Sequence, residues 1–384
     1  MKYYTLLSSF LLICFYCCCQ DTINNNKLEF TGSITIDNVS NISGGIKKGN
    51  NTLGLLDVNT WYRINKGVLK NIGFNIHLLK TTNAKPSENL IGDIQTVSNI
   101  EGNASRFFYE LLINYKINKF SITTGLHDLN SEFNVSENAL NFINSSFGIF
   151  PVVSLNIPTS IFPITTFGAV ISYNTKKFDI AGGVYNLNYD FVENNSFKFD
   201  DNFYQKGYFA ISEFRYRWFN GSGKTAEIKA GGFYKKGKHE KDLSYPSENV
   251  SENNYGLYLV GDFKLKEFSS NRELLSFVQI GHAPTRINLS SEYYGLGFSI
   301  ISHEKKYFPS QIGLAVAYVK LNDLVGDKFV NSGRYESTIE LTSKINFLNY
   351  FILQPDVQYI ISPSGGLYNN SLAAILRLIV NFTK

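Results

Sequence analysis

Arginine, carboxylate and aromatic side chains recur in this chain at spacings of two and four residues. In a β-strand, that spacing places side chains on one face. Arginine offers five N–H donors in a fixed fork and a carboxylate offers paired acceptors, so the two together suit hydroxyl-bearing solutes. The same side chains could instead form ion pairs across neighbouring strands. Both interpretations stay open for Asp57, Trp61, Arg106, Glu110, Glu213, Arg215 and Arg217.

Motifs for catalysis or metal binding are weak by comparison. The run Gly221–Thr225 resembles the end of a phosphate-binding loop, but Trp218 stands where the first glycine belongs, and a hairpin turn is the better interpretation. The five histidines lack metal-ligand spacing. We therefore predict no catalytic residue, no cofactor and no metal. His127, at the start of a long connection, is expected to be a polar lining residue.

Composition narrows the class of protein. The chain has 384 residues, of which 15% are aromatic and 18% are charged, and Tyr and Phe are strand-favouring residues. A formal net charge of +4 is small for this length, and no cluster of Lys and Arg stands out. Nucleic acid is therefore not an expected partner.

Alternation of apolar and polar residues predicts the fold. It recurs in sixteen segments, from Leu28–Val39 to Ser371–Phe382, and long connections alternate with short ones. Bacterial outer-membrane barrels have an even number of strands, with short turns at one end and longer loops at the other. We predict an all-β fold, a transmembrane antiparallel β-barrel of about 16 strands.

The two faces of each predicted strand differ. In the segment 207–219 the even positions, including Tyr216 and Trp218, are apolar, whereas the odd positions carry Glu213, Arg215 and Arg217. In the segment 105–117 the odd positions, including Tyr109, form the apolar face. A charge that faces lipid at mid-depth costs roughly 2–4 kcal/mol, so the polar faces must point inward. A barrel of this strand number is wide enough to leave an aqueous channel.

The connection from Asn130 to Ile164 is unusually long and apolar. It contains Phe133, Phe142, Phe147 and Phe150 among many other apolar residues, and it is punctuated by prolines. Connections longer than about 12–15 residues are commonly functional or disordered, and a disordered tail would not carry this apolar load. Standing in solvent, it would expose a large apolar surface. We predict an extracellular third loop that folds inward and narrows the channel.

The amino-terminal segment is typical of a secretion signal. Lys2 precedes a mostly apolar run from Tyr3 to Cys19 that is too short for a stable membrane anchor. We predict a cleaved signal peptide over residues 1–20 and a barrel domain over residues 21–384. All four cysteines lie within the signal, so the mature chain would have no thiol chemistry. A lipid-modified cysteine is the alternative, but the usual surrounding residues are absent.

An ordered set of short motifs resembles the OprB family of carbohydrate-selective porins, over nearly the whole mature chain. The motifs are Ser43–Gly45, Leu55–Asp57, Gly92–Gln95, Ser98–Glu101, Gly125–Phe133, Asn144–Gly148, Ser160–Pro163, Tyr294–Gly297 and Leu353–Ile360. Each motif is weak alone, whereas their order along the chain is fairly specific.

The resemblance implies a barrel of the bacterial outer membrane, either a monomer or a homotrimer, that admits sugars into the periplasm by diffusion. Small sugars, other hydrophilic solutes and ions, and outer-membrane lipids are the partners that it implies. It also implies that charged and aromatic residues line a constriction at the third loop. Two other hypotheses remain: an outer-membrane barrel with enzymatic or adhesive function, and a secreted soluble β protein.

Overall fold

The structure is a computed structural model that describes residues 27–102, 108–157, 160–187, 207–221, 223–237, 253–268, 272–302, 309–325, 328–347 and 350–382. The signal peptide predicted for residues 1–20 lies outside these ranges.

Sixteen antiparallel strands in the described ranges close into one barrel, in which each strand pairs with its chain neighbours and β1 pairs with β16. This confirms the predicted all-β fold and its strand number. The strands are β1 (Lys27–Gly45), β2 (Gly49–Arg63), β3 (Ile72–Thr81), β4 (Phe108–Ile117), β5 (Phe120–His127), β6 (Thr166–Asn174), β7 (Phe178–Asn186), β8 (Tyr208–Asn220), β9 (Gly223–Lys236), β10 (Asn254–Phe268), β11 (Arg272–His282), β12 (Ser290–Ser302), β13 (Gln311–Val325), β14 (Lys328–Phe347), β15 (Phe351–Ile361) and β16 (Asn369–Asn381).

Helical structure in the described ranges is limited to single turns. These turns are Ser87–Ile91, Leu129–Ser131, Ala139–Asn141, Ser145–Phe147, Pro151–Ser154, Thr285–Ile287 and the irregular Pro363–Gly366. None of them has the length or the apolar character that a membrane-crossing helix needs.

The two ends of the barrel differ in their connections, as predicted. The start of β1, the end of β16 and short connections such as residues 118–119 lie at one end, which we call the turn end. The long connections lie at the opposite loop end, and they include residues 82–107 (loop two) and 128–165 (loop three). The connection 303–310 is a longer exception at the turn end.

The wall follows the period-2 rule. In β12 the side chains of Tyr294, Leu296 and Phe298 are exposed on the outside, whereas Tyr293 is fully buried inside. Inward-facing Glu336 and Glu340 of β14 are also buried. Apolar side chains therefore form the outer band, and polar ones face the interior.

Loop three packs against the inner wall. Its apolar side chains are at most 2% exposed at Phe133, Phe142, Ile143, Phe147, Phe150, Val152, Val153 and Ile157. Wall glycines make room for them. A Cβ atom on Gly313 would lie 2.8 Å from Cζ of Phe142, and one on Gly183 would lie 2.9 Å from Cε2 of Phe133. Because real Cβ atoms do not approach so closely, these positions need glycine.

Loop two is held where the barrel closes. Arg377 of β16 donates from Nε and Nη2 to the carboxylate of Asp37 on β1, at 2.7 Å each. The hydroxyl of Ser98 in loop two donates to the same carboxylate at 2.7 Å, and Arg377 also donates to Oδ1 of Asn99 at 2.8 Å. One ion pair thus joins the first and last strands to loop two.

Acid groups in loop two make its closure pH-dependent. Burial, reinforced by the charge of Asp93, raises the pKa of Glu101 from 4.5 to about 7. Burial also raises the pKa of Asp93 to about 6. The closed loop therefore holds these protons more tightly than an opened loop. Closure of the loop is therefore most favourable in acid and becomes less favourable as the pH rises from about 4 to 7.

We expect Glu101→Gln to remove the Glu101 part of this dependence. The Gln side chain keeps an oxygen acceptor for the Ser87 amide, which now donates to Glu101 at 3.2 Å. At pH 8, amide hydrogen exchange across residues 87–101 should slow roughly tenfold relative to the parent, with little change at pH 4.5. Glu88→Gln, at an exposed position of the same loop, is the control. Equal effects at both pH values would contradict the assignment.

Candidate functional site

Glu213 on β8 joins the wall to loop three. Its carboxylate is fully buried and accepts hydrogen bonds from the Asn134 amide at 3.0 Å and the Tyr258 hydroxyl at 2.8 Å. Arg215 Nε donates to it at 2.5 Å. The substrate contact predicted for Glu213 has no exposed carboxylate surface to support it, because the loop covers this side chain.

The two arginines of β8 keep part of their surface open. Arg215 also donates to the carbonyl of Glu132 in loop three. Arg217, one step closer to the turn end, lies between Asp179 of β7 and Glu227 of β9 and donates from Nε to Glu227 at 2.6 Å. Their side chains are 18% and 20% exposed. Each guanidinium is thus bound by carboxylates while part of the arginine side chain stays exposed.

His77 of β3 links two of the predicted residues. Its Nδ1 lies 3.0 Å from Oε2 of Glu110 on β4, and its Nε2 lies 3.0 Å from Oδ1 of Asp57 on β2. Two carboxylate acceptors suit a ring that donates from both nitrogens. Asp57 is the most open of the three, with a side chain that is 36% exposed. Sequence reasoning missed His77, although the alternation of β3 puts residue 77 on the inner face.

One predicted face is wrong. Tyr109 was expected on the outer apolar face of β4, but it is buried, and its ring meets the His77 ring edge-on at 5.2 Å. The pairing of β4 with β3 skips Tyr109, because His77 opposes Glu110 and Leu78 opposes Phe108. A β-bulge of this kind adds one residue and lets both Tyr109 and Glu110 face inward.

Glu110 and His127 lie where loop three leaves the wall. Glu110 accepts the amide of Asp128 at 2.9 Å. Burial, and then the charge of Glu110, raise the pKa of Asp128 to about 7. The His127 ring is buried, with Nε2 at 3.3 Å from the Ser131 hydroxyl and its centroid 5.8 Å from that of Tyr185. Both predicted residues contact the root of the loop.

The remaining predicted residues are Trp61 and Arg106. Trp61 lies on the inner face of β2 near the turn end, partly exposed, and the guanidinium of Arg63 lies 5.5 Å from its ring centroid. Arg106 lies outside the described residues. The structure thus brings together Asp57 with Glu110, Glu110 with His127, and Glu213 with Arg215, whereas Trp61 and Arg217 stand apart.

Wall side chains that bind the backbone of loop three form the rest of the site. Asp262 of β10 accepts the Ser136 hydroxyl at 2.5 Å and the Glu137 and Asn138 amides at 3.2 and 3.1 Å. Glu340 accepts the Ile143 and Asn144 amides at 2.6 and 2.9 Å. The inward position of Glu340 follows from alternation, but its partners do not.

Wall amides and hydroxyls bind loop carbonyls in the same way. Gln279 of β11 donates to the Phe147 carbonyl at 2.9 Å, and Tyr293 of β12 donates to the Ser146 carbonyl at 2.8 Å. Loop three is therefore fixed from β8 round to β14. Among the described residues, no group of three or more His, Asp and Glu side chains is arranged to hold a metal ion.

Solved porins share this architecture. The high-pH structure of Pseudomonas putida OprB matches with a TM-score of 0.79 and 18% identity, covering 92% of this chain and 94% of that one. The low-pH structure matches with a TM-score of 0.57 and 13% identity, covering 92% of each. A triple mutant of the Rhodopseudomonas blastica porin matches with a TM-score of 0.54 and 8% identity, covering 93% and 100%. These likenesses show the fold.

Family membership comes from the sequence itself. No curated protein matches the chain by sequence. The profile of the carbohydrate-selective porins, OprB family, matches residues 56–383, which is most of the chain and runs from within β2 past the end of β16. The chain therefore belongs to the OprB family of carbohydrate-selective porins, and it is an outer-membrane carbohydrate porin.

Proposed function

We propose that mono- and small oligosaccharides, other small hydrophilic solutes and ions diffuse through a channel between loop three and the part of the wall that the loop leaves open. The observation that carries this proposal is the set of wall carboxylates that hold the backbone of loop three. Glu213, Asp262 and Glu340 hold it on three separate strands. Because loop three is bound to the wall at several points, the channel beside the loop can keep a constant cross-section.

The open side of the channel would be the wall formed by β2, β3 and β4. Asp57 and Trp61 keep exposed surface there, and His77 orients the Asp57 carboxylate. A carboxylate can accept two sugar hydroxyls, and an indole face can cover the apolar face of a sugar ring. The guanidinium edges of Arg215 and Arg217 supply donors. Glu110, Glu213 and His127 would then act by fixing the loop.

The export and assembly of the chain are further parts of the proposal. A cleaved signal over residues 1–20 would deliver it across the inner membrane of a bacterium, with the turn end facing the periplasm. The barrel could work as a monomer or a homotrimer. Family and fold are those of a channel rather than an enzyme or an adhesin. Purified protein in planar bilayers separates the alternatives, because a porin gives discrete conductance steps.

Deleting residues 138–153 should widen the channel. The deletion removes the part of loop three that Glu340 and Gln279 hold. Single-channel conductance should rise markedly, and liposome swelling should discriminate less between sugars of different size. Glu340→Gln is the milder variant: it weakens the two hydrogen bonds from the Ile143 and Asn144 amides, worth about 0.5–1.5 kcal/mol each, and should give brief openings to higher conductance.

The deletion variant and Glu340→Gln must first be shown to fold, by the heat-modifiable gel mobility that is typical of a folded barrel. A folded deletion variant that conducts and selects like the parent would show that loop three is not the constriction.

Neutralising Arg215 or Arg217 to Gln should shift ion preference toward cations. Removing a positive charge makes the field in a low-dielectric channel more negative. Where the guanidinium donates to a sugar hydroxyl, sugar affinity should fall about tenfold, since 1.4 kcal/mol is a factor of ten. Reversal potentials in a salt gradient and sugar block of the current measure the two effects.

Trp218→Phe is the matched control, because Trp218 is the next residue of β8 and is exposed on the outer face. Its ion preference should equal that of the parent. A shift in this variant, together with none in the arginine variants, would mean that β8 carries its polar face outward.

A further inference from the structure

Two neighbouring turns at the turn end carry three lysines, which we call the rim lysines. Lys119 lies between β4 and β5, and Lys176 and Lys177 lie between β6 and β7. All three residues are exposed. The carbonyl of Lys119 accepts the amide of Asn174, the last residue of β6, at 2.7 Å. Because neighbouring strands lie only about 4.8 Å apart, the rim lysines share one short stretch of the barrel rim.

No carboxylate of the described residues neutralises the rim lysines. Strands β4 to β8 carry three carboxylates, those of Glu110, Asp179 and Glu213, and each of these residues is at most 5% exposed. Glu110 and Glu213 bind loop three, and Asp179 binds Arg217 on the inner face. Within the described part of the chain, the rim lysines form no ion pair within 4.0 Å. They therefore present three positive charges without a compensating negative charge.

Two other lysines at the turn end do have acidic partners. Lys224 of β9 lies 2.5 Å from Oε2 of Glu137, and Lys264 of β10 lies 3.1 Å from carboxylate oxygens of both Glu267 and Glu273. Acidic side chains are thus common at this end of the barrel, yet the rim lysines stand apart from them. The unbalanced charge is a local property of the turns at β4 to β7.

A row of aromatic side chains lies on the outer face next to the rim lysines. The ring centroids of Phe120 and Tyr173 are 4.8 Å apart, those of Tyr173 and Phe178 are 6.0 Å apart, and those of Phe178 and Phe214 are 6.3 Å apart. Lys119 Nζ lies 5.9 Å from the centroid of the Tyr173 ring. Aromatic belts on a barrel mark the level of the lipid headgroups. The row therefore places the rim lysines at headgroup depth.

Beyond the aromatic row, the outer face of the same strands is aliphatic. Ile122 of β5, Ile171 of β6 and Ile180 of β7 point outward and are 46%, 58% and 51% exposed. Passing from the rim toward the middle of the membrane, a lipid would meet ammonium groups, then aromatic rings, then aliphatic side chains. This order matches the phosphate, the glycerol backbone and the acyl chains of a phospholipid.

We propose that the rim lysines and the aromatic row bind an anionic phospholipid such as phosphatidylglycerol. Lysine donates charge-assisted hydrogen bonds to phosphate oxygens. Because the three ammonium groups have no carboxylate partner, a headgroup with a net negative charge is preferred to a zwitterionic one. The site lies outside the channel, so it adds a lipid partner to the protein and does not depend on which solutes pass.

Quenching of Trp218 by brominated lipids tests the proposal. The chain has two tryptophans, and Trp218 is 44% exposed on the outer face of β8, two residues beyond Tyr216, which opposes Phe178 of the row. In a Trp61→Phe background, the fluorescence reports Trp218 alone. The folded barrel is reconstituted in phosphatidylcholine vesicles that contain brominated phosphatidylglycerol or brominated phosphatidylcholine. At low salt, phosphatidylglycerol should bind about fivefold more strongly, which is roughly the effect of one lysine near an anionic surface.

Two triple variants separate charge from packing. Changing Lys119, Lys176 and Lys177 to Gln should make quenching by the two lipids equal, whereas changing all three to Arg should keep the preference. The double variant Lys66→Gln with Lys70→Gln is the matched control, because both are exposed lysines of the turn between β2 and β3, several strands from Trp218. The control should behave like the parent. If it loses the preference as the Gln variant does, the rim lysines are not the site.

Salt and free phosphate complete the test. The preference should weaken as the salt concentration rises from about 0.05 to 0.5 M, because salt screens exposed charges. Inorganic phosphate at matched ionic strength should leave the preference unchanged, since it has no acyl chains to lie against the barrel. Displacement of the lipid by phosphate, or equal quenching by both lipids in the parent, would overturn the proposal. The measurement needs no passage of sugar, so its failure leaves the proposed function standing.

Discussion

The interior of this barrel depends on one requirement: the buried backbone amides of loops two and three need hydrogen-bond acceptors. A buried amide without an acceptor costs about 1–3 kcal/mol, and loops two and three bury many. The same arrangement recurs on the wall: one inward-facing carboxyl group accepts hydrogen bonds from two successive backbone amides of a loop. Glu336 takes those of Ile94 and Gln95, Asp262 takes those of Glu137 and Asn138, and Glu340 takes those of Ile143 and Asn144.

This constraint divides the charged residues of the interior into two kinds. Carboxylates under the loops, such as Glu213 and Glu340, are buried and hold backbone in place. Groups that the loops do not fully cover, such as Asp57, Arg215 and Arg217, keep side chains that are partly exposed. A buried carboxylate that lost its loop would be left without donors, so a stable loop and a charged wall require each other.

Alternation with a period of two was enough to predict the barrel, the outward Trp218 and the inward face of β8 that carries Glu213, Arg215 and Arg217. It could not predict the bulge at Tyr109, because one extra residue changes the facing of every residue before it without changing composition. Alternation also predicts which face of the wall a side chain lies on, but not which residues it contacts. Glu213 and Arg215 occupy equivalent inward positions of β8 in the sequence pattern. In the structure, the Glu213 side chain is fully buried under loop three, whereas the Arg215 side chain stays partly exposed. The roles of Asp262 and His77 could not be predicted from the sequence, because they depend on partners that only the structure brings close.

The distance along the chain between loop three and its acceptors has a consequence for biogenesis. The amides of Ile143 and Asn144 bind Glu340, which follows them by nearly 200 residues. During synthesis and insertion, loop three exists long before β14 does. Until that strand joins the wall, loop three lacks the hydrogen bonds that Glu340 accepts from the Ile143 and Asn144 amides. Seating of the loop is therefore a late event, coupled to closure of β1 onto β16, and a nascent barrel needs protection of this segment while it waits.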